Sequence, residues 1–175
     1  MDLAPGTPGL PWRYPYQKDA PRQREVLRPL VSIRLLGRDI STGVLALVDS
    51  GSEHILAAPW LVADAKVELD HPRYQTDLGI GGGTPTFKFA DLRLRLQYPG
   101  GQDSQFIEWE AEVGFSNEWK APWPILLGQH GFFDRFTVSM HRAAALTVVE
   151  EWGTFDERFG IQEGENDSHA QRFEP

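Results

Sequence analysis

The sequence predicts a mainly β protein, and two kinds of pattern support this fold class. Residues 91–98 (DLRLRLQY) and 106–115 (FIEWEAEVGF) alternate between apolar and charged side chains, which is the period of a β-strand. Residues 26–37 (VLRPLVSIRLLG) and 41–51 (STGVLALVDSG) are short runs rich in leucine and β-branched residues. The turn-like RDI at 38–40 separates these two runs, so we expect them to form a hairpin.

The two alternating segments also predict how they pair. If PGGQDS (residues 99–104) forms the loop between them, one register places opposite charges and apolar side chains across from each other. The opposed pairs are then Arg95–Glu108, Arg93–Glu110, Leu96–Ile107 and Leu94–Trp109. The charges are expected to form weak ion pairs on a solvated strand face, without a chemical role.

Helical periodicity is scarce in the chain. We expect one or two helical turns in AAPWLVADA (residues 57–65) and another turn in HGFFDRF (residues 130–136). The fold class is therefore mainly β with one or two short helices.

The chain divides into three zones. Residues 1–25 form an arm, because five prolines exclude a regular helix or a central strand, while Trp12, Tyr14 and Tyr16 lie between those prolines. The arm can stay loose or pack its rings onto the folded body or a second subunit, and packing is favoured. Residues 26–150 are the folded domain, and residues 151–175 are an acidic, partly disordered tail.

Composition excludes several classes of function. The net charge is −8, and the sequence contains no clustered basic face, so a nucleic-acid partner is not expected. The absence of cysteine excludes disulfides and thiolate zinc sites and fits a reducing compartment, which favours a cytoplasmic protein. Neither a secretion signal nor a long apolar segment is visible, so no membrane association is expected.

One carboxylate stands out in VLALVDSGSEHILA (residues 44–57). A run of apolar residues leads directly into Asp49, and three small residues, Ser50, Gly51 and Ser52, follow it. Gly51 permits a tight turn, and the serine hydroxyls can bond to the backbone or to the carboxylate. Three such letters alone fit an ordinary strand-ending turn with a side-chain hydrogen bond, so they do not define a site.

Two further stretches change this interpretation. LGIGGGTPTFKF (residues 78–89) and PILLGQHGFFDRF (residues 124–136) follow the Asp-Ser-Gly-Ser turn in order. A strand ending in Asp-Ser-Gly-Ser, a glycine-rich hairpin, and two large apolar residues before a glycine together resemble the retropepsin-like aspartic proteases. The resemblance extends from about residue 30 to residue 150.

This resemblance implies a single-domain fold closed like a β-barrel, with a hairpin flap over the cleft. Asp49, Ser50 and Gly51 match the catalytic turn of the family. Leu126, Leu127 and Gly128 match the apolar-apolar-glycine element that crosses beneath it. Gly131-Phe132-Phe133-Asp134 and Phe136 resemble the continuation found in bacterial-type members. The chain departs from the residues that are common in the family at three positions, Ser50, Ser52 and His130.

Peptide hydrolysis by such a site needs two carboxylates, one to accept a proton from water and one to donate a proton to the scissile carbonyl. This chain offers only Asp49, because neither Asp103 nor Asp167 is followed by the required turn residues. The site must therefore be completed by a second copy of the chain, related by a twofold axis. The resemblance gives the Ser50 hydroxyl the role of holding the partner's loop. No cofactor or metal is implied.

Substrate contacts are expected from the glycine-rich stretch at residues 79–83 and from Ser52. The GIGGG stretch, with Gly79, Ile80, Gly81, Gly82 and Gly83, is the expected flap tip, and an extended peptide would lie beneath it like an added strand. A phosphate-binding loop is a rival interpretation of these glycines, but Thr84-Pro85 follows them instead of Lys-Ser/Thr. Ser52 is expected to donate to an Asp49 oxygen, which would favour the ionised form and an acidic pH optimum.

Other site types are poorly supported. The five histidines have no ligand spacing, and no Gly-x-Ser-x-Gly motif exists for a serine hydrolase. Glu53 and His54, just after the turn, are expected to face solvent. The sequence thus predicts a homodimeric aspartic endopeptidase acting on peptide or protein substrates. The alternative is a dimer of the same fold that is proteolytically silent or autoinhibited by its arm and acts as a peptide-binding module.

Overall fold

The structure, a computed structural model, describes residues 2–18, 26–68, 74–77 and 84–159 of the chain. These residues form thirteen strands and two helices. In chain order the elements are β1 (Asp2–Leu3), β2 (Trp12–Pro15), β3 (Gln17–Lys18), β4 (Leu27–Arg28), β5 (Leu30–Leu36), β6 (Val44–Val48), β7 (Ile55–Ala57), α1 (Trp60–Asp64), β8 (Tyr74–Asp77), β9 (Thr86–Gln97), β10 (Phe106–Phe115), β11 (Ile125–Leu127), β12 (Thr137–His141), β13 (Leu146–Glu150) and α2 (Trp152–Phe159).

Six of these strands close into a mixed β-barrel in the order β5, β6, β11, β7, β10 and β9. The barrel closes because β9 pairs with β10 on one side and with β5 on the other. The pairs β10–β7 and β11–β6 are parallel, whereas the remaining pairs of the ring are antiparallel. The mainly β prediction is confirmed, and so is the predicted hairpin, in which β5 and β6 place Leu30 opposite Leu47.

The predicted register between β9 and β10 is confirmed at all four pairs. One part of the interpretation of its charges is wrong. Arg93 and Glu110 do lie at the exposed surface, but the Arg95 and Glu108 side chains are only 15% and 12% exposed and approach to 2.6 Å. Arg95 is covered because its guanidinium lies over the ring of Phe106, at 3.6 Å from the ring centre.

The inner and outer faces of the barrel follow from strand alternation. On β6, Ala46 and Val48 belong to the main core inside the barrel, whereas Leu47 belongs to a second apolar cluster on the outer face. Leu45 is on the same outer face and is 44% exposed. β6 therefore carries main-core residues on one side and, on the other, the exposed Leu45 and the buried Leu47.

The N-terminal arm packs onto the folded body, which is the favoured of the two alternatives. Strand β2 pairs with β13, and β13 pairs with β12, so the arm completes a three-stranded sheet. Trp12 and Tyr14 alternate inward from β2 and join the main core. The boundaries at 25/26 and 150/151 stay predictions.

The helices are placed partly as expected. Helix α1 lies within residues 57–65, as predicted. Residues 130–136 make one turn, as predicted, in which the Arg135 and Phe136 amides both donate to the Phe132 carbonyl. Gly131 adopts a left-handed conformation, and its amide donates to the Asp134 carboxylate. The second helix is α2, in the segment predicted as a tail. Over the part of the chain that the structure describes, no helix is long and apolar enough to cross a membrane.

Candidate functional site

Asp49 follows directly after β6, at the end of the outer row of that strand. The amide of Val48 donates to the Pro29 carbonyl, and the amide of Asp49 donates to the Leu127 carbonyl, each at 3.0 Å. The backbone of Asp49 is thus fixed by both neighbours of β6 in the barrel. Because alternation continues from Leu47, the side chain of Asp49 belongs to the outer face, where it is half-buried.

The topology around Asp49 is unusual, because β11 lies between two strands that are consecutive in the chain. β6 and β7 are joined by residues 49–54, yet β11 inserts between them, parallel to β6 and antiparallel to β7. The Asp49 turn therefore passes across the end of β11. The predicted element Leu126-Leu127-Gly128 occupies this position, and it meets the predicted turn Asp49-Ser50-Gly51.

The turn closes on the Asp49 carboxylate. The Gly51 amide donates to Asp49 Oδ1 at 3.0 Å, and the Ser52 amide donates to the Asp49 carbonyl at 3.1 Å. This is the side-chain hydrogen bond that an ordinary aspartate turn would make, and it also fixes the rotamer of Asp49. Within the described residues, Oδ2 makes no hydrogen bond, so one carboxylate oxygen remains available on the outer face.

Gly128 permits the close approach of β11 to this turn. A Cβ atom at position 128 would lie 2.3 Å from the His54 carbonyl oxygen and 2.6 Å from the Ser52 carbonyl oxygen. Both obstacles are backbone atoms, so no side-chain rotation could relieve the overlap. At Gly51, in contrast, a Cβ would lie 3.3 Å from Asp49 Oδ1 and meet nothing else that close.

Gln129 stabilises the Asp49 turn through two hydrogen bonds. Its backbone amide donates to the Ser52 carbonyl at 2.9 Å, and its side-chain Nε2 donates to the Ser50 carbonyl at 2.7 Å. The next amide, that of His130, donates to the Glu53 carbonyl at 2.8 Å. The turn is therefore held by a ladder of hydrogen bonds from residues that directly follow Gly128. Ser50 itself is exposed.

The predicted hydrogen bond from Ser52 to Asp49 is wrong. The Ser52 hydroxyl donates to the His54 carbonyl at 2.8 Å, and a hydroxyl has only one proton to donate. The Gly51 amide takes the place that we expected for Ser52. Ser52 therefore stabilises the exit of the turn into β7 and gives no reason to expect a more acidic optimum.

A second, largely buried apolar cluster lies beside Asp49 on the outer side of the barrel strands. Leu47 on β6 pairs with Leu30 on β5 and with Leu126 on β11. Leu126 in turn pairs with Leu56 on β7. Phe87 and Phe89 of β9 cover this leucine row, and Trp119 and Trp123 pack against its edge. We call this group the outer cluster; its members are Leu30, Leu47, Leu56, Phe87, Phe89, Leu126, Trp119 and Trp123.

Sequence reasoning missed most of the outer cluster. Of its members it singled out only Leu126 as a site residue. Trp119 and Trp123 lie in the segment NEWKAPWP (residues 117–124), which has neither strand nor helix periodicity. Two tryptophans in an irregular segment directly before the Leu-Leu-Gly element are the signal that could have indicated a wall of the site.

Glu53, His54 and His130 lie at the exit of the turn. Glu53 Oε1 is 3.9 Å from Nε2 of each histidine. Glu53 is exposed as expected, but the expectation for His54 is wrong, because its side chain is 16% exposed and its ring lies 5.0 Å from the ring of Phe89. Among the described residues, no group of three or more histidine, aspartate or glutamate side chains could hold a metal ion.

The predicted flap tip, Gly79, Ile80, Gly81, Gly82 and Gly83, lies outside the described residues. The two strands expected to flank it are present. β8 pairs with β9 in antiparallel fashion, and the last described pair before the tip is Asp77 with Thr86. The structure thus describes the base of this hairpin, and the flap itself stays a prediction. Models of known protein families and curated protein sequences give no match to this chain.

Proposed function

We propose that this protein is a retropepsin-like aspartic endopeptidase that is active as a homodimer. The observation that carries the proposal is the crossing of the Asp49 turn and the β11 strand. Asp49 stands on the outer face with one carboxylate oxygen bound to the Gly51 amide and the other available. Gly128 lets β11 pass within van der Waals distance of the turn backbone.

Two copies of Asp49 would supply the two carboxylates that peptide hydrolysis needs. Placed together across a twofold axis, they cannot both ionise at low cost, so one holds a proton. The ionised carboxylate accepts a proton from water as the water attacks the scissile carbonyl carbon. The protonated carboxylate donates to the carbonyl oxygen, which gives a neutral tetrahedral intermediate. Proton transfer to the departing nitrogen then breaks the C–N bond. The exposed Ser50 hydroxyl is proposed to bind the loop of the partner.

The outer cluster supports apolar side chains as the preferred substrate residues on either side of the cut. Leu47 lies two residues before Asp49 and pairs with Leu126, and both leucines are buried. A bound side chain would therefore mainly contact the half-buried Trp119 and Trp123. Trp119 and Trp123 form the wall beside them. A peptide lying along this surface would bury its apolar side chains there and be enclosed from above by the proposed flap, residues 79–83.

A proteolytically silent peptide-binding dimer is the second candidate. It would use the same apolar surface without turnover. Autoinhibition by the described part of the arm is not favoured, because Trp12 and Tyr14 lie in the barrel core and not over the outer cluster. Both candidates, and the cytoplasmic location and the absence of nucleic-acid and membrane partners, are proposals.

The test is cleavage of a mixed peptide library, read by mass spectrometry from about pH 3 to 7, by the full chain and by Asp49→Asn. We expect cuts between apolar residues by the wild type and a loss of at least about 100-fold in the variant, because proton transfer is removed. Circular dichroism confirms that the variant is folded. Sedimentation at the assay concentration should give a dimer.

Three outcomes would decide against the proposal. Cleavage by a strictly monomeric species would exclude a site shared by two chains. Cleavage retained in Asp49→Asn would place the chemistry elsewhere. A folded dimer that binds peptides and cuts none of them would favour the silent binding module.

A further inference from the structure

A groove of about 430 Å³ lies on the outer face of the barrel, at the opposite end of β6 from Asp49. We call it the arm groove, because strand β2 of the arm forms one of its walls. Its floor is formed by side chains that lie next to each other on neighbouring strands. Leu45 faces Ser32 across β6 and β5, and the register of β5 with β9 places Gln97 next to Ser32. Leu30 extends this floor toward the outer cluster.

Both walls of the arm groove are fixed by hydrogen bonds. The Tyr14 hydroxyl donates to the Gln97 carbonyl at 2.8 Å and holds the arm side. The opposite wall is the loop between β9 and β10, where the Gly101 amide donates to the Tyr98 carbonyl and the Gln102 amide donates to the Gln105 side chain. The groove is therefore pre-formed, which is typical of a binding site.

The groove contains an unpaired buried acceptor. Gln97 is 8% exposed, and its Oε1 has no hydrogen-bond partner, while its Nε2 makes only a long contact of 3.5 Å to the Asp103 carbonyl. A buried amide oxygen without a donor is rare in folded proteins. This oxygen is itself buried, so a ligand N–H in the groove would bond to it after the Gln97 amide rotates about χ3 toward the groove.

The rest of the lining indicates an uncharged ligand with an apolar side chain. Leu45 is 44% exposed and offers apolar surface on the floor. Among the described lining residues, the charged side chains are Arg34 and Asp103, and they pair with each other at 3.0 Å. Arg34 also donates to the Ser41 carbonyl. As far as the described residues line it, the groove thus presents an apolar floor, a buried acceptor in Gln97 and no unpaired charge.

We propose that the arm groove binds one apolar residue of an extended, uncharged peptide segment, with a peptide N–H of that segment donating to Gln97 Oε1. Leu45, Leu47 and Asp49 occupy alternate positions on one face of β6, so the groove is about 13 Å from the Asp49 turn. Leu30 lines the groove and also belongs to the outer cluster. If the proposed peptidase activity holds, the bound segment is the substrate itself, gripped about four residues from the cut; the binding claim does not depend on that activity.

The experiment uses the full chain carrying Asp49→Asn, labelled with 15N, and N-acetyl-leucine N-methylamide as the probe. We expect saturable changes in the amide signals of Gly100 and Gly101 and in the side-chain amide of Gln97. Leu45→Asp should weaken binding by about tenfold or more, because the leucine contact is lost. Leu3→Asp is the matched control, since Leu3 is 48% exposed on β1 and outside the groove, and it should leave the affinity unchanged.

Several outcomes would overturn the proposal. No saturable change at the groove signals would exclude the site, and so would equal affinities of the Leu45→Asp and Leu3→Asp variants. Tighter binding of N-acetyl-leucine, which carries a carboxylate, would indicate an anion site at Arg34. Concentration-dependent changes without the probe would identify a second copy of the chain as the occupant. Leu45→Thr replaces Leu45→Asp if the latter does not fold. A lack of cleavage by the wild type would not affect any of these results.

Discussion

The Asp49 turn and the N-terminal arm are held in place by different forces. The turn is fastened by backbone hydrogen bonds, in which Gln129 and His130 donate to Ser52 and Glu53, and by the missing side chain at Gly128. The arm is fastened by burial of two large rings, Trp12 and Tyr14, in the main core. The turn buries little apolar area of its own, whereas the arm contributes some of the largest buried side chains of the molecule.

The two regions therefore contribute different things: the turn fixes the position of Asp49, and the arm contributes to the stability of the domain. A hydrogen-bond ladder fixes the place of a carboxylate to a fraction of an ångström, but each bond contributes only about 1 kcal/mol to folding. A buried tryptophan contributes more to folding and is less demanding about position. Damage to the arm should therefore lower the stability of the whole domain, and damage to the turn should mainly displace Asp49.

The largest effect on stability is expected at the arm. Trp12 is 1% exposed, its Nε1 donates to the Pro8 carbonyl at 2.8 Å, and its ring packs edge-on against Tyr98. Trp12→Ala should lower the free energy of unfolding by about 3–5 kcal/mol, because it leaves a cavity in the core. Urea unfolding followed by circular dichroism measures this change.

Trp60→Ala is the control for the arm prediction. Trp60 begins helix α1 and is 49% exposed, so the same deletion there should cost less than about 1 kcal/mol. Equal losses in the two variants would mean that the arm is not part of the core. In that case the contrast between arm and turn would fail.

Strand pairing was predictable from the sequence because it depends on local alternation. The period of two in β9 and β10 determines which side chains share a face, and taking PGGQDS as the loop selects the register that is observed. The strand in the arm could not be predicted in the same way, because the prolines around it argue against regular structure. This four-residue strand, β2, forms by pairing with β13. Helix α2 lies in a polar segment whose composition resembles a tail.

The candidate site was predictable only where a short motif defines it. Sequence motifs identified two triplets, Asp49-Ser50-Gly51 and Leu126-Leu127-Gly128. The structure brings these two triplets together. The donor to the Asp49 carboxylate was not predictable from the sequence. Whether the Ser52 hydroxyl bonds to Asp49 or to the His54 carbonyl depends on which acceptor lies nearer in the fold. Trp119 and Trp123 were missed because their contacts with the outer cluster are made from a segment without periodicity.

Gly128→Ala is expected to lower the stability less than Trp12→Ala but to displace the Asp49 turn. The new Cβ would overlap the His54 and Ser52 carbonyl oxygens, so the strand and the turn must separate. We expect a loss of about 1–3 kcal/mol in stability. If the proposed peptidase activity holds, we also expect a loss of about 100-fold in the cleavage rate per folded molecule, because a shift of about 1 Å misplaces the reacting groups. The amide signals of Gly51 and Ser52 should shift, which provides a readout independent of activity.

Gly37→Ala is the matched control, because a Cβ at position 37 would lie 2.3 Å from the Ala65 carbonyl oxygen, outside the Asp49 turn. This variant should lose similar stability while its Gly51 and Ser52 signals stay in place. Wild-type cleavage by folded Gly128→Ala, or equal displacement of the turn signals in both variants, would contradict the assigned role of the β11 crossing.

The smallest effect concerns how the arm responds to pH. Burial raises the pKa of Tyr14 above its ordinary value of about 10, and the Tyr14 hydroxyl donates to the Gln97 carbonyl. Below pH 10 the residue is protonated in both the folded and the unfolded chain, so Tyr14→Phe should cost only about 1 kcal/mol for the lost hydrogen bond.

Above about pH 10 the sign of the effect changes in favour of the variant. The unfolded chain releases the phenolic proton while the folded chain keeps it, so through this residue the wild type loses up to about 1.4 kcal/mol of stability for each further pH unit. Urea unfolding at pH 8 and pH 11 should therefore show Tyr14→Phe less stable at pH 8 and level with or above the wild type at pH 11. Tyr16→Phe, in the same arm but only half-buried, is the control. The same crossover there would mean that burial of the arm ring in the core is not its cause, since only Tyr14 belongs to that core.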